Sequence, residues 1–276
     1  MKTAPITILC ALLFSGPIAQ AQVDLSFAAG SSSYMGDLKE KALSFSQPSY
    51  AFSGGVSYQF NNRFSWRNEI GYSKIQASDS KSKRADLIAR NLSFKSSLLS
   101  LNSMVEYDFL SMADHTFSPY AFLGVGLLHF NPYTTDRFGK KQFLQPLTTE
   151  GQGLLTDANQ AIIKPYARTI LEIPFGGGIK FEINDHFRLG IELKYHFVDS
   201  DYLDDVSKAG YPSQTLLVAK NPLIPLLTYR GDELPGGAAY PKGGLNRGNP
   251  NNRDSYMNMQ IRMTYRIKHQ TIEMYY

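Results

Sequence analysis

Two histidines and a run of acids are the residues of this chain best suited to chemistry. His196 is followed closely by Asp199, Ser200, Asp201, Asp204 and Asp205, and His129 closes an earlier apolar stretch. A histidine, a serine and a carboxylate are the parts of a nucleophilic hydrolase. No nucleophile-elbow pattern surrounds Ser200, so the sequence speaks against an enzyme. The same aspartates could attract calcium, but the regular spacing and central glycine of an EF-hand loop are missing. No metal or other cofactor is expected. The remaining reading is a solvated rim in which Asp199, Asp201, Asp204 and Asp205 pair with Arg247 or Arg253.

A second set of charges is patterned differently. Residues 187–197 read F-R-L-G-I-E-L-K-Y-H-F, with apolar and polar positions alternating without a break. In a strand such alternation makes one face apolar and the other charged. The same arrangement places Arg67, Glu69, Glu106, Lys180, Glu182, Arg188, Glu192, Lys194, His196, Arg262 and Arg266 on the polar faces of their strands. If the apolar faces meet lipid, these side chains fill a barrel interior. There they must be paired and hydrogen-bonded, because an isolated buried charge is costly. Both signs occur in similar numbers, which favours a plugged interior over an ion pore.

The elements that would hold these residues are eight strands. They start near Val23, Tyr50, Phe64, Leu99, Tyr120, Phe175, Phe187 and Met257. Residues 30–49, 78–90, 131–168 and 198–253 read as loops, and 61–63, 111–118 and 184–186 as short connections. Long and short connections therefore alternate. This is the pattern of an outer-membrane barrel with short periplasmic turns and long extracellular loops. Strands of about ten residues suit a tilted crossing of the hydrocarbon layer. Tyr58, Phe60, Phe64, Trp66, Tyr107 and Phe109 fall near strand ends, as an aromatic girdle does. The expected fold is all-β: an eight-stranded antiparallel transmembrane barrel. A soluble eight-stranded barrel or sandwich is the alternative.

The start of the chain fits export to that membrane. Lys2 precedes an apolar run over residues 6–14, and Ala19-Gln20-Ala21 fits a signal-peptidase site. Residues 1–21 are therefore expected to be a cleaved signal peptide and residues 22–276 the barrel, located in the cell outer membrane. The only cysteine, Cys10, lies in the leader, so no disulfide framework is expected. A net charge of +4 on 276 residues is too balanced to suggest nucleic acid as a partner. Past Ile267 the alternation changes parity, either at a bulge or where residues 268–276 leave the membrane. Residues 216–229 are apolar but broken by Lys220, Pro222 and Pro225, so they fold over the mouth or meet a partner. Arg230-Gly231-Asp232 is short enough to occur by chance, and Gly176-Gly177-Gly178, inside a strand, marks a bend or a close approach and not a phosphate loop.

Five strings point further: S-S-S-Y-M-G-D-L (31–38), S-P-Y-A-F-L-G-V-G-L-L-H-F-N-P (118–132), I-P-F-G-G-G-I-K-F (173–181), G-I-E-L-K-Y-H-F-V-D-S-D-Y-L-D-D-V-S (190–207) and R-G-N-P-N-N-R-D-S-Y (247–256). Together they resemble the PorG-like outer-membrane barrel family. The resemblance implies an accessory component of the type IX secretion system, touching a periplasmic ring built by the PorK lipoprotein and PorN. Such a partner reaches only the turns at 61–63, 111–118 and 184–186 or the tail after Ile267. The rival expectation is a surface barrel whose outer loops bind a ligand or a cell-envelope partner. A small barrel enzyme comes third.

Overall fold

The structure, a computed structural model, describes residues 22–38, 47–156, 161–207, 209–237, 239–242, 245–249 and 253–267. The expected signal peptide and the final residues 268–276 lie outside that set. The strands are β1 (Gln22–Met35), β2 (Ser49–Gln59), β3 (Phe64–Ser78), β4 (Ser93–Asp108), β5 (Phe117–Thr135), β6 (Lys141–Phe143), β7 (Thr169–Glu182), β8 (Phe187–Val198) and β9 (Ser255–Ile267). All except β6 form one antiparallel sheet. It closes on itself because β1 pairs with both β2 and β9, and β4 with both β3 and β5. β6 is a short flap on the end of β5. The barrel proper therefore has eight strands and no open edge.

Alternation decides which way each residue faces. Leu25, Phe27, Ile70, Leu101, Val125, Leu171, Ile173, Ile191 and Ile261 point outward and are exposed, with Val125 at 64% and Leu171 at 65%. Water cannot solvate such a belt at acceptable cost, and its match is a hydrocarbon layer. Rings girdle the short-turn end. Tyr58 packs on Trp66, Phe64 on Tyr107, Tyr107 on Phe109, Phe117 on Phe181 and Phe187 on Tyr265. Among the described residues no helix is long and apolar enough to cross a membrane.

Two of the three short turns are closed by the same device. Asn61 Oδ1 accepts hydrogen bonds from the backbone N–H of Arg63 and Phe64, both at 2.9 Å. Asn184 Oδ1 does the same for His186 and Phe187, again at 2.9 Å. An asparagine side chain that mimics a backbone turn accounts for both reversals.

The long-loop end departs from the sequence reading. Residues 30–35, expected in a loop, continue β1 and pair with β9 as far as Met35–Ser255. β3, β4 and β5 likewise run several residues beyond their expected ends. Nor are 131–168 and 198–253 irregular throughout. They carry β6 and the short helices α2 (Leu144–Leu147), α3 (Gln214–Lys220) and α4 (Leu223–Thr228), while α1 (Ala85–Arg90) lies between β3 and β4. These loops form a cap with an apolar core. Leu144, Leu203, Val206 and Leu227 pack with Ile75, Phe94, Leu98, Leu128 and Phe130, which face inward at the strand tops. Residues 216–229 do fold over the mouth: Leu217, Ile224 and Leu227 are buried, and Leu216 and Val218 remain exposed.

Candidate functional site: the lumen plug and the cap lock

Inside the barrel, at the level of the apolar belt, the charges meet. Glu192 sits between two guanidinium groups. Arg67 Nη1 donates to its Oε2 at 2.7 Å, while Arg262 donates through Nε at 3.1 Å and Nη2 at 3.0 Å. Arg67 Nη1 also reaches Glu106 at 2.8 Å, and Arg262 Nη2 reaches Glu69 at 2.6 Å. Lys194 pairs with Glu69 and lies 3.3 Å from Glu192. Lys180 bridges Glu106 and Asp108 at 2.8 and 2.7 Å, and Arg188 lies 3.3 Å from Asp24. Five cations (Arg67, Lys180, Arg188, Lys194, Arg262) thus face five carboxylates (Asp24, Glu69, Glu106, Asp108, Glu192). Neither sign lines a path.

Apolar groups share the same space. Phe122 and Tyr120 pack with Met104, and the Arg67 guanidinium lies 4.4 Å from the Phe122 ring centre. Tyr120 OH donates to Glu192 at 3.0 Å. The glycines of β7 make room for these rings. A Cβ on Gly176 would strike Phe122, and one on Gly178 would strike the Tyr120 hydroxyl. The glycine run is therefore a packing feature of the lumen. The gap left among Asp24, Arg67, Glu106 and Arg262 is about 30 Å³, space for a water or two.

Glu182 and Arg266 belong elsewhere. They form a loose 3.7 Å pair at the short-turn mouth, each about one-fifth exposed, apart from the buried network. That mouth is a polar vestibule of about 160 Å³ lined by Gln22, Asn62, Asp108, Arg188 and Arg266. Asp24 and Asp108 were absent from the expected network, although both occupy polar positions of alternating strands.

His196 faces inward with the other polar positions of β8, as the alternation implies. It is buried in the upper lumen, with Nδ1 3.1 Å from Glu172 Oε2 and its ring stacked on Tyr256 at 4.1 Å. Tyr256 OH donates to the same Glu172 oxygen at 2.7 Å. His129 points the other way, exposed on the outer face with Thr169 Oγ1 at 2.9 Å. The two histidines face opposite sides of the wall, and the Ser200 hydroxyl accepts a local bond from Tyr202 N at 3.2 Å. The His-Ser-acid set is not assembled. Among the described residues no group of three or more His, Cys, Asp or Glu is arranged to hold a metal ion.

Above the lumen the acid-rich loop is a lock. Asp204, Asp205 and Arg247 are buried, which corrects the expectation of a solvated base; of the expected rim residues, Asp199 and Arg253 do form an exposed pair, at 3.3 Å. Asp201 is half-buried near Asp254. Arg247 Nη1 donates to Asp205 O at 2.5 Å, Thr149 Oγ1 at 3.0 Å and Glu150 Oε1 at 3.3 Å, and its Nε donates to Thr228 O at 3.3 Å. Glu150 in turn accepts from Ser207 N and Oγ at 2.7 and 2.6 Å. The Arg247 carbonyl accepts from Arg90, whose guanidinium grips Asp79 with bonds of 2.7 and 2.8 Å. Arg230 ties α4 to the end of β5 through Thr134 and Thr135, so the arginine of the Arg-Gly-Asp string is an internal strut. The loops after β3, β5 and β8 are thereby laced together.

One junction joins lock and barrel. The Tyr34 hydroxyl lies 2.6 Å from Asp204 Oδ2 and 2.8 Å from Asp254 Oδ1. A phenol has one proton to donate, so the second contact needs a proton on a carboxyl group. Consistent with that, burial and mutual repulsion hold Asp204 well above the usual carboxylate range, and burial does the same to Asp254. Burial also pushes Asp205 up to about 6, against the pull of Arg247.

A family model described as a domain of unknown function, DUF6089, matches residues 3–148. No curated protein matches the chain. Similar solved structures include Ail, the attachment invasion locus protein of Yersinia pestis, 11% identical with a TM-score of 0.43, covering 90% of this chain and 99% of that one. Neisserial surface protein A is 9% identical with a TM-score of 0.42, at coverages of 89% and 97%. OprG from Pseudomonas aeruginosa is 10% identical with a TM-score of 0.41, at coverages of 90% and 97%. With its family model spanning more than half of its length, this closed eight-stranded barrel belongs to the DUF6089 family.

Proposed function

We propose that this protein is a structural, non-enzymatic barrel of the cell outer membrane that serves the type IX secretion system, contacting a periplasmic ring through its short turns. The supporting observation is the plug. A lumen filled by matched ion pairs around Glu192 offers neither a conduit nor a reaction centre, so the working surfaces are the two ends. The strings that carry the family resemblance supply Tyr34, Tyr120, Phe122, Lys180, Glu192, Lys194, His196, Asp204, Arg247 and Asp254, which fill the lumen and lock the cap. The short-turn end presents Asn61, Asn62, Ala113 and Met112 around its vestibule.

Photo-crosslinkers at Asn62, Asp114 and Asp185 should capture periplasmic ring proteins in intact cells. Deleting the gene should impair export of type IX cargo. Normal export with full levels of the ring proteins would refute the reading.

A second reading has its own support. The cap exposes Ile162 at 62% and Leu216 at 47%, apolar area facing away from the barrel on the side of the long loops. A cell-envelope partner bound there would be captured by crosslinkers at Leu216 and not by those in the turns.

A further inference from the structure

We infer that the outer surface of β3 to β6, just above the apolar belt, is a binding site for the phosphorylated headgroup of an anionic lipid in the outer leaflet. The strand register shows where the belt stops. Tyr72, Leu99 and His129 lie side by side on β3, β4 and β5 at its upper limit. The next outward row is Lys74, Ser97 and Asn131, and the one after it is Gln76, Lys95 and Tyr133. Two residues of strand span about 7 Å. The lysines therefore stand at the level where lipid headgroups begin, over the acyl-facing residues Leu99, Leu101 and Leu127.

These cations are gathered and uncompensated. The Tyr133 ring has Lys141 Nζ at 3.9 Å and Lys74 Nζ at 5.7 Å, and Lys141 Nζ also lies 4.5 Å from Phe143. Among the described residues no carboxylate forms an ion pair with Lys74, Lys95 or Lys141. Three arginines of the cap and its edge, by contrast, are matched: Arg84 with Asp86, Arg137 with Asp232, and Arg253 with Asp199. Asp136, the acid of the β5–β6 hairpin, is already occupied. It accepts from Phe138 N, Lys140 N and Gln142 Nε2 at 2.9 to 3.0 Å.

The patch also has depth. A cavity of about 260 Å³ opens beside it, lined by Gln76, Ser78, Ser93, Lys95, Tyr133 and Thr135. Ammonium, hydroxyl and amide groups around one recess are donors for phosphate oxygens. A free phosphate would gain nothing from the belt beneath, whereas a lipid satisfies both at once. Basic groups at a membrane surface each contribute to such binding. The inference rests on the lipid-facing belt and not on a secretion role, so its failure leaves that role standing.

The test is native mass spectrometry of the full barrel in mild detergent, titrated with diphosphoryl lipid A, its dephosphorylated form and phosphatidylcholine. The intact protein should retain diphosphoryl lipid A and release the other two. The double variant Lys95→Gln/Lys141→Gln should bind it about thirtyfold more weakly. The charge-matched control Lys164→Gln/Lys242→Gln should bind like the parent. Equal retention of phosphorylated and dephosphorylated lipid by the unaltered barrel would overturn the inference without reference to any variant. So would undiminished binding by a double variant that still migrates as a folded barrel, or inorganic phosphate competing at the affinity of the lipid.

Discussion

The lumen and the cap both bury charge, and they do it in opposite ways. In the lumen, Arg67 and Arg262 flank Glu192, and each cation has a carboxylate within 3.3 Å. At the junction with the cap, Asp204 and Asp254 meet across one tyrosine hydroxyl, with Asp37 near both. The first arrangement is electrically complete. The second is completed by protons. The barrel wall is thus built to stay as it is, whereas the cap is tied down by groups that respond to pH. Function that requires movement belongs to the cap, and function that requires a rigid mount belongs to the wall and its turns.

The largest effect should come from the centre of the lumen. Glu192→Gln leaves two guanidinium groups facing one neutral amide and should cost about 3–5 kcal/mol. A fall in the urea midpoint at which the folded band is lost in unboiled gels would register it. If the cap is a separate layer laced by Arg247, Arg247→Ala should leave that midpoint nearly unchanged. It should instead open residues 199–254 to limited proteolysis, because it frees Glu150 and the Asp205 carbonyl together. Equal loss of barrel and cap in this variant would dissolve the distinction between the two regions.

A smaller effect sets the two regions apart by pH. Asp204, Asp205 and Asp254 all have their affinity for protons raised by folding. A carboxyl group of that kind stabilises the fold in acid, and the contribution is lost as pH rises from its unfolded value through its folded one. For Asp205 the window runs from the ordinary 3.8 to about 6, and for Asp204 and Asp254 it extends higher. Amide exchange over residues 203–207, corrected for intrinsic rates, should therefore be slowest near pH 4 and quicken towards pH 8. Asp204→Asn should flatten that profile. The smallest effect should come from Arg253→Ala, since the Asp199–Arg253 pair is exposed on both sides and should leave cap and barrel unchanged within error.

The difference between the regions also governs what the residues alone reveal. Strand alternation is a strong signal where one face meets lipid and the other meets ions, so the mid-barrel facings of β2, β3, β4, β7, β8 and β9 could be read directly. It fades where both faces become alike. At the strand tops the inward positions turn apolar (Ile75, Phe94, Leu98, Leu128, Phe130), and the small residues 30–33 of β1 look like a loop. Pro174 hid the start of β7, and Glu172 with it. Burial of Asp204, Asp205 and Arg247 had no local signature. A stretch rich in Asp, Pro, Gly and Asn resembles a solvated loop until a distant Thr149, Glu150 or Tyr34 is brought against it. The outward direction of His129 depended on β5, whose two faces are both apolar or glycine.

A lumen closed by the ion pairs around Glu192 should pass no ions. Conductance of the purified full-length barrel in planar lipid bilayers tests this most directly. No steady channel is expected at neutral pH, and none when the cap is opened by Arg247→Ala, since the ion pairs around Glu192 lie below it. A stable open channel in the unaltered protein, closed by no voltage or salt condition, would contradict it.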